Sequence, residues 1–187
     1  LPISNLELVA WVEGYLDRLG VPHRRVPNAD GTKSNLLATI GPVVEGGVIT
    51  AANASQVCDG ATGVMVVNER GLKTLGVKPL ARIHQMTMLG HDPVIMLEAP
   101  VPATEKALKK SGMKIEDIDL YEVNEAFASV PLAWLKALGA DANRLNVNGG
   151  AIALGHPLGA SGTKLMTTLI HALGQRGKRY GLQTMCE

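Results

Sequence analysis

The chain has 187 residues, with 18 Lys+Arg against 17 Asp+Glu and 46% hydrophobic residues. That length supports a core without staples, and 19% charged residues describe a globular fold, not a disordered one. A net charge of +1 and 3% aromatics argue against nucleic acid or a base-stacking platform as partner, and no run reaches the ~18 apolar residues of a membrane span.

Ser4-Asn5-Leu6-Glu7 is a capping-box pattern. Val9, Val12, Leu16 and Leu19 follow at helical spacing, and Gly20 and Pro22 mark a stop. A short strand is expected over 23–26, a turn at Asn28-Ala29-Asp30-Gly31, and a buried strand over 36–40. Apolar runs at 62–67 and 80–89 predict further strands, with a helix over 69–75 closed by Gly76. A helix over 102–111 has Pro at its start and Gly112 past its end. A strand over 120–123 leads to a helical face of Phe127, Val130, Trp134, Leu135 and Leu138, with Pro131 in its first turns. A strand over 145–147, a helix over 163–173 and a strand over 180–185 complete the pattern. Strands alternating with helices give an α/β class with a mainly parallel or mixed sheet.

The densest chemical signal is Asn148-Gly149-Gly150-Ala151-Ile152-Ala153-Leu154-Gly155-His156-Pro157-Leu158-Gly159-Ala160-Ser161-Gly162. Glycines let a backbone or a substrate approach closely, and an imidazole exchanges a proton near neutral pH. The same residues also suit a tight turn or a phosphate loop, although no Walker Gly-Lys-Ser/Thr follows. Asn124-Glu125-Ala126-Phe127-Ala128 falls at a strand-to-helix junction, where α/β proteins put their sites; Asn124 equally fits a helix N-cap. Cys186 ends a strand and reads as a buried thiol or a reactive one. Cys58 reads as structural. Two cysteines do not make a disulfide framework, which points to a reducing, cytoplasmic compartment, and no signal peptide is read at the N-terminus. No His, Cys, Asp or Glu cluster has metal-ligand spacing.

From residue 50 to 187 the chain resembles the C-terminal half of a thiolase, the acetyl-CoA acyltransferase family. The likeness rests on Asn53-Ala54-Ser55 with Asp59-Gly60-Ala61, on Asn124-Glu125-Ala126-Phe127-Ala128, on the block from Gly149 to Gly162, and on Met185-Cys186, which matches the start of a Cys-x-Gly-Gly-Gly segment. Residues 1–49, through Asn28-Ala29-Asp30-Gly31-Thr32-Lys33-Ser34-Asn35-Leu36, resemble instead the start of an acetylornithine deacetylase of the M20 type. The two likenesses meet between Glu45 and Thr50. The chain therefore reads as a chimera: a deacetylase-like stub at 1–49 and a thiolase C-terminal domain at 50–187, truncated at its last strand.

The resemblance implies a thiolase-type mixed sheet with helices on both faces. It implies acyl transfer between coenzyme A thioesters, in thiolytic cleavage or Claisen condensation of a 3-oxoacyl-CoA, with no bound cofactor or metal. His156 resembles the base that activates a nucleophilic cysteine. Asn124 resembles the residue that holds a water at the enolate oxygen, and Cys186 the second cysteine, an acid/base on the α-carbon. Ser55, Met96 and Phe127 resemble pocket residues near the pantetheine and the thioester. Implied partners are acyl-CoA, coenzyme A and further copies of the chain in a homo-oligomer. The family's nucleophile lies in a segment these residues do not contain, so the isolated chain is expected to be inactive. Two other readings stand beside this one: a non-catalytic module that pairs with another thiolase chain, and the remnant of an M20 metallohydrolase.

Overall fold

A computed structural model describes residues 6–18, 23–27, 31, 34–38, 47–93, 95 and 97–186. The capping residues Ser4 and Asn5, the stop at Gly20 and Pro22, the turn residues Asn28, Ala29 and Asp30, and Met96 lie outside them. The chain divides into two compact units, Leu1–Ala51 and Ala52–Glu187.

In the first unit, helix α1 runs Leu6–Arg18. Val9 and Leu16 are seven residues apart, hence on one helix face, and both are buried. Strands β1 (His23–Pro27) and β2 (Ser34–Ala38) form an antiparallel hairpin, from His23 opposite Ala38 to Pro27 opposite Ser34. Arg25 joins hairpin to helix with a two-pronged contact: its Nε donates to Glu13 Oε1 at 2.7 Å and its Nη2 to Glu13 Oε2.

The second unit contains α2 (Glu69–Leu75), α3 (Pro100–Ser111), β3 (Leu120–Val123), α4 (Ser129–Leu138), α5 (Ala151–Leu154), α6 (Ser161–Gln175) and β4 (Gly181–Thr184). β3 and β4 pair in parallel, Leu120 opposite Gly181 and Val123 opposite Thr184. All four residues of β3 are buried, as a strand covered on both faces must be. Alternate side chains point to opposite faces. On one face Tyr121 and Val123 pack with Ile118 and Trp134, flanked by Val101 and Leu108 of α3 and Leu135 of α4. The Tyr121 and Trp134 rings meet edge-on with centroids 5.2 Å apart, and Trp134 Nε1 donates to Thr104 Oγ1 at 2.9 Å. On the other face Leu120 packs with Leu169 and Ala172 of α6. The α/β class, with helices on both faces of a parallel pair, is thus borne out.

Three strands expected from apolar runs do not form. Residues 61–68 and 80–90 are without regular structure, and Met65, Val66, Leu80, Met86 and Met88 are exposed. β-propensity is realised only where a neighbouring strand and a packed face exist, and among the described residues neither run has one. Over 145–147 only Leu145 bridges β3, opposite Tyr121. Asn146 then turns to φ +44°, and its side-chain amide substitutes for a strand: Oδ1 accepts from Val123 N at 2.9 Å and Nδ2 donates to Val123 O at 3.0 Å. α4 starts at Ser129, later than the apolar face suggests. Pro131 falls in its first turn, where a missing N–H costs nothing.

Candidate active site

The carboxyl ends of β3 and β4 lie side by side because the pair is parallel. Asn124 follows β3 directly, and its backbone N–H donates to Thr184 O at 3.0 Å, extending the ladder by one bond. The alternation that sends Leu120 toward α6 sends Asn124 the same way, and at this level the chain leading into α6 carries His156. Asn124 Nδ2 lies 3.4 Å from His156 Nε2. The two are 1% and 7% exposed.

His156 is fixed from both sides. Its backbone N–H donates to Gln56 O at 2.8 Å, and it forms a parallel bridge with Val57. Its Nδ1 lies 2.5 Å from Ser161 Oγ, and that hydroxyl donates to Pro157 O at 3.1 Å. A hydroxyl has one proton to give. With that proton on Pro157, Ser161 accepts from Nδ1–H, and the neutral ring keeps its lone pair on Nε2, facing the Asn124 amide. Burial lowers the His156 pKa below the ordinary imidazole value, and the Lys164 ammonium adds to the effect. Lys164 itself donates to Leu154 O and Gly155 O, both at 2.8 Å, and so clamps the carbonyls just before His156.

Glu125 ties the segment after β3 to both sides of Gly149-Gly150. Its Oε1 accepts from Asn146 Nδ2 at 2.8 Å and its Oε2 from Ile152 N at 3.0 Å. The carboxylate fills the space beside Gly150, where a Cβ would lie 2.2 Å from the Glu125 carboxyl carbon. Gly150 is required by that approach. Gly155, at φ +83°, meets the Cys58 sulfur, which would lie 2.7 Å from a Cβ there. Cys58 is exposed and packs on this loop, in keeping with a structural part. Thr62 Oγ1 donates to Ala160 O at 2.9 Å and also meets Thr163 Oγ1, holding 58–62 against 155–163.

The sequence-predicted residues are thus partly assembled. His156 and Asn124 are in contact. Ser55 and Phe127 are neighbours on paired segments: Ala54 bridges Phe127, Ser55 N donates to Ala126 O at 3.0 Å, and Ala128 N to Asn53 O at 2.8 Å. This segment, continuing to Val57, joins the Phe127 turn to the His156 loop. Cys186 is buried, 9% exposed, two residues beyond β4 at the same strand edge as Asn124. Met96 lies outside the described residues. Ser161, Lys164, Glu125 and Asn146 carry no role in the sequence reading. Ser161 alone had a local signal, a hydroxyl five residues after the histidine at the mouth of a helix. Among the described residues no group of His, Cys, Asp or Glu could hold a metal ion, and no helix is long and apolar enough to cross a membrane.

The thiolase C-terminal domain family matches residues 77–187. The chain is 56% identical over 151 residues to a steroid 3-ketoacyl-CoA thiolase of Mycobacterium tuberculosis (strain ATCC 25618 / H37Rv), covering 81% of this chain and 37% of the relative. It is 47% identical over 160 residues to the acetyl-CoA acetyltransferase of Escherichia coli (strain K12), covering 86% and 41%. That alignment is longer than residues 50–187 alone can supply, so the likeness begins upstream of Thr50. Among solved structures, human mitochondrial 3-ketoacyl-CoA thiolase in complex with CoA superposes with a TM-score of 0.67 at 46% identity, over 74% of this chain and 35% of that one. The Bacillus anthracis acetyl-CoA acetyltransferase superposes with a TM-score of 0.74 at 34% identity, over 98% and 50%. The chain spans well under half the length of the curated relatives it matches. A parallel strand edge that carries the Asn-Glu-Ala-Phe turn, the Gly-His-Pro loop and the closing cysteine is what its matched region holds, and the chain belongs to the thiolase family.

Proposed function

We propose that the chain supplies the base, the water-holding amide and the second thiol of a thiolase acting on 3-oxoacyl-CoA. The observation that carries the proposal is the His156 geometry: a buried imidazole whose Nδ1 lies beside Ser161 Oγ and whose Nε2 lies beside Asn124 Nδ2. In this reading Nε2 takes the proton of a nucleophilic thiol furnished by a complementing segment. The thiolate attacks the 3-oxo carbon and the Cα–Cβ bond breaks, leaving an acyl thioester and the enolate of acetyl-CoA. Cys186 donates its proton to the enolate carbon. Coenzyme A then attacks the acyl thioester and releases acyl-CoA.

Asn124 Oδ1 is buried and has no hydrogen-bond partner among the described residues. It accepts one hydrogen of a water, whose other hydrogen, together with the imidazolium Nε2–H, stabilises the enolate oxygen. Ser55 and Phe127, on their paired segments, line the way in for the pantetheine arm. The substrates are acyl-CoA and coenzyme A. The names of the relatives support this choice, one a steroid 3-ketoacyl-CoA thiolase and one solved with CoA.

Further parts of the proposal have their own support. Both cysteines are thiols, which suits a reducing cytoplasm. The exposed apolar residues Met65, Val66, Leu80, Met86 and Met88 suit a face covered in a homo-oligomer or by a complementing segment. For residues 1–49 the deacetylase origin rests on sequence likeness alone, whereas the thiolase likeness that begins upstream of Thr50 favours continuity. The test of the function is direct. The chain, combined with the N-terminal portion of its M. tuberculosis relative, should cleave a 3-oxoacyl-CoA in a coenzyme A-dependent way, and His156→Ala should lower the rate ~10²–10⁴-fold. Unchanged turnover in the variant would reject the assignment.

A further inference from the structure

Glu122 faces α6 between Leu120 and Asn124. It is 1% exposed, and neither carboxyl oxygen has a hydrogen-bond partner among the described residues. Its register partner across the parallel pair is Gln183, and register partners project to the same face. Gln183 Nε2 donates to Gly162 O at 2.8 Å, but Gln183 Oε1 is buried and also lacks a donor. An ionised carboxylate offers only acceptors, so it would set acceptor against acceptor in an apolar layer. A neutral carboxyl has one O–H, which is what Gln183 Oε1 lacks.

We infer that Glu122 is held as the neutral acid and donates its proton to Gln183 Oε1, acting as a positioning residue for the first turn of α6. The chain of contacts is short. Glu122 fixes Gln183, Gln183 holds the Gly162 carbonyl, and the preceding residue, Ser161, orients His156. Its consequence for catalysis rests on the acyl-transfer reading; the location of the proton does not. Burial pushes the Glu122 carboxyl up to about 7, and the nearby Glu125 carboxylate pushes in the same direction. Among the described residues the elements packed on it bring no compensating cation: β4 offers the neutral Gln183, α6 buries Leu165 and Leu169, and Lys164 is engaged by the Leu154 and Gly155 carbonyls.

The sign of the linkage follows. A carboxyl raised in the folded state stabilises the fold fully below the unfolded value of about 4.3, and that contribution is lost as pH rises through about 7. Glu122→Gln keeps a donor for Gln183 at every pH. The experiment is a titration of the 187-residue chain labelled with 13Cδ glutamate, with melting curves of wild type and E122Q at pH 5.5 and 8. We expect a Glu122 signal in the neutral-acid range at pH 6 with a midpoint near 7. E122Q should melt above the wild type at both pH values, by a wider margin at pH 8 than at pH 5.5, and its His156 imidazole resonances should match the wild type at pH 6. A Glu122 midpoint near the ordinary carboxyl value, or E122Q melting below wild type at pH 8, would overturn the inference. Should E122Q fail to fold, the wild-type titration alone decides. None of these readouts uses substrate, so a failed activity assay would leave them intact.

Discussion

His156 is held in place by three neighbours. Ser161 selects the tautomer, Lys164 holds the preceding carbonyls, and Asn124 lies beside Nε2. Ser161→Ala removes the acceptor for Nδ1–H. A neutral hydrogen bond is worth ~0.5–1.5 kcal/mol net, so the complemented enzyme should lose up to about tenfold in kcat, with the imidazole 15N shifts reporting a mixed tautomer. An unchanged rate and an unchanged spectrum would remove Ser161 from the account. Because burial lowers the His156 pKa, the proposed base stays neutral to lower pH than a free imidazole. The acid limb of kcat/KM against pH should therefore fall below pH 6.5. The same depressed value stabilises the fold above about 6.5, and that contribution is lost as pH drops below it. A limb centred above 6.5 would point to another base.

At the scale of elements, the site depends on close approaches between β4, α6 and the loops that join them. Gly181 sits opposite Leu120 on the α6 face, and a Cβ there would lie 2.9 Å from side-chain atoms of Leu169 and Leu173. Gly181→Ala should cost about 1–3 kcal/mol by overpacking, read as a lower urea midpoint at an unchanged slope. Helices were legible because their signals are local. Pro102 and Gly112 marked α3, which begins two residues earlier at Pro100, and Met166, Leu169, Ile170 and Leu173 mark α6. The strand expectations at 62–67 and 80–89 failed for the opposite reason, since a strand needs a partner that no local pattern supplies. The contact of His156 with Asn124 was legible only through the family likeness of the two motifs. The Lys164 and Glu125 supports are tertiary, set by where the loop closes on α6, and no spacing announced them; Ser161 alone carried a local signal. The Glu125–Gly150 fit illustrates this: the glycine was visible, but the carboxylate that excludes a side chain there comes from 25 residues earlier.

At the scale of the whole molecule the two units differ in what supports them. Among its described residues, Leu1–Ala51 holds one helix and a two-stranded hairpin, an assembly of marginal stability by itself. The second unit buries β3 on both faces. Hydrogen exchange should show α1 amides opening well before those of α6; equal protection would mean that the two units unfold as one.

On the proposed reading, these 187 residues hold the base and the second thiol of a thiolase, and the nucleophile comes from a complementing segment. Thiolysis of a 3-oxoacyl-CoA, measured with the chain by itself, with the N-terminal portion of the M. tuberculosis relative added, and with His156→Ala in that mixture, tests it most directly. Background turnover is expected for the chain by itself, turnover on mixing, and loss of that turnover in the variant. Ordinary enzymatic turnover by the unsupplemented chain would contradict it, and Cys58 would then have to be tested as the nucleophile.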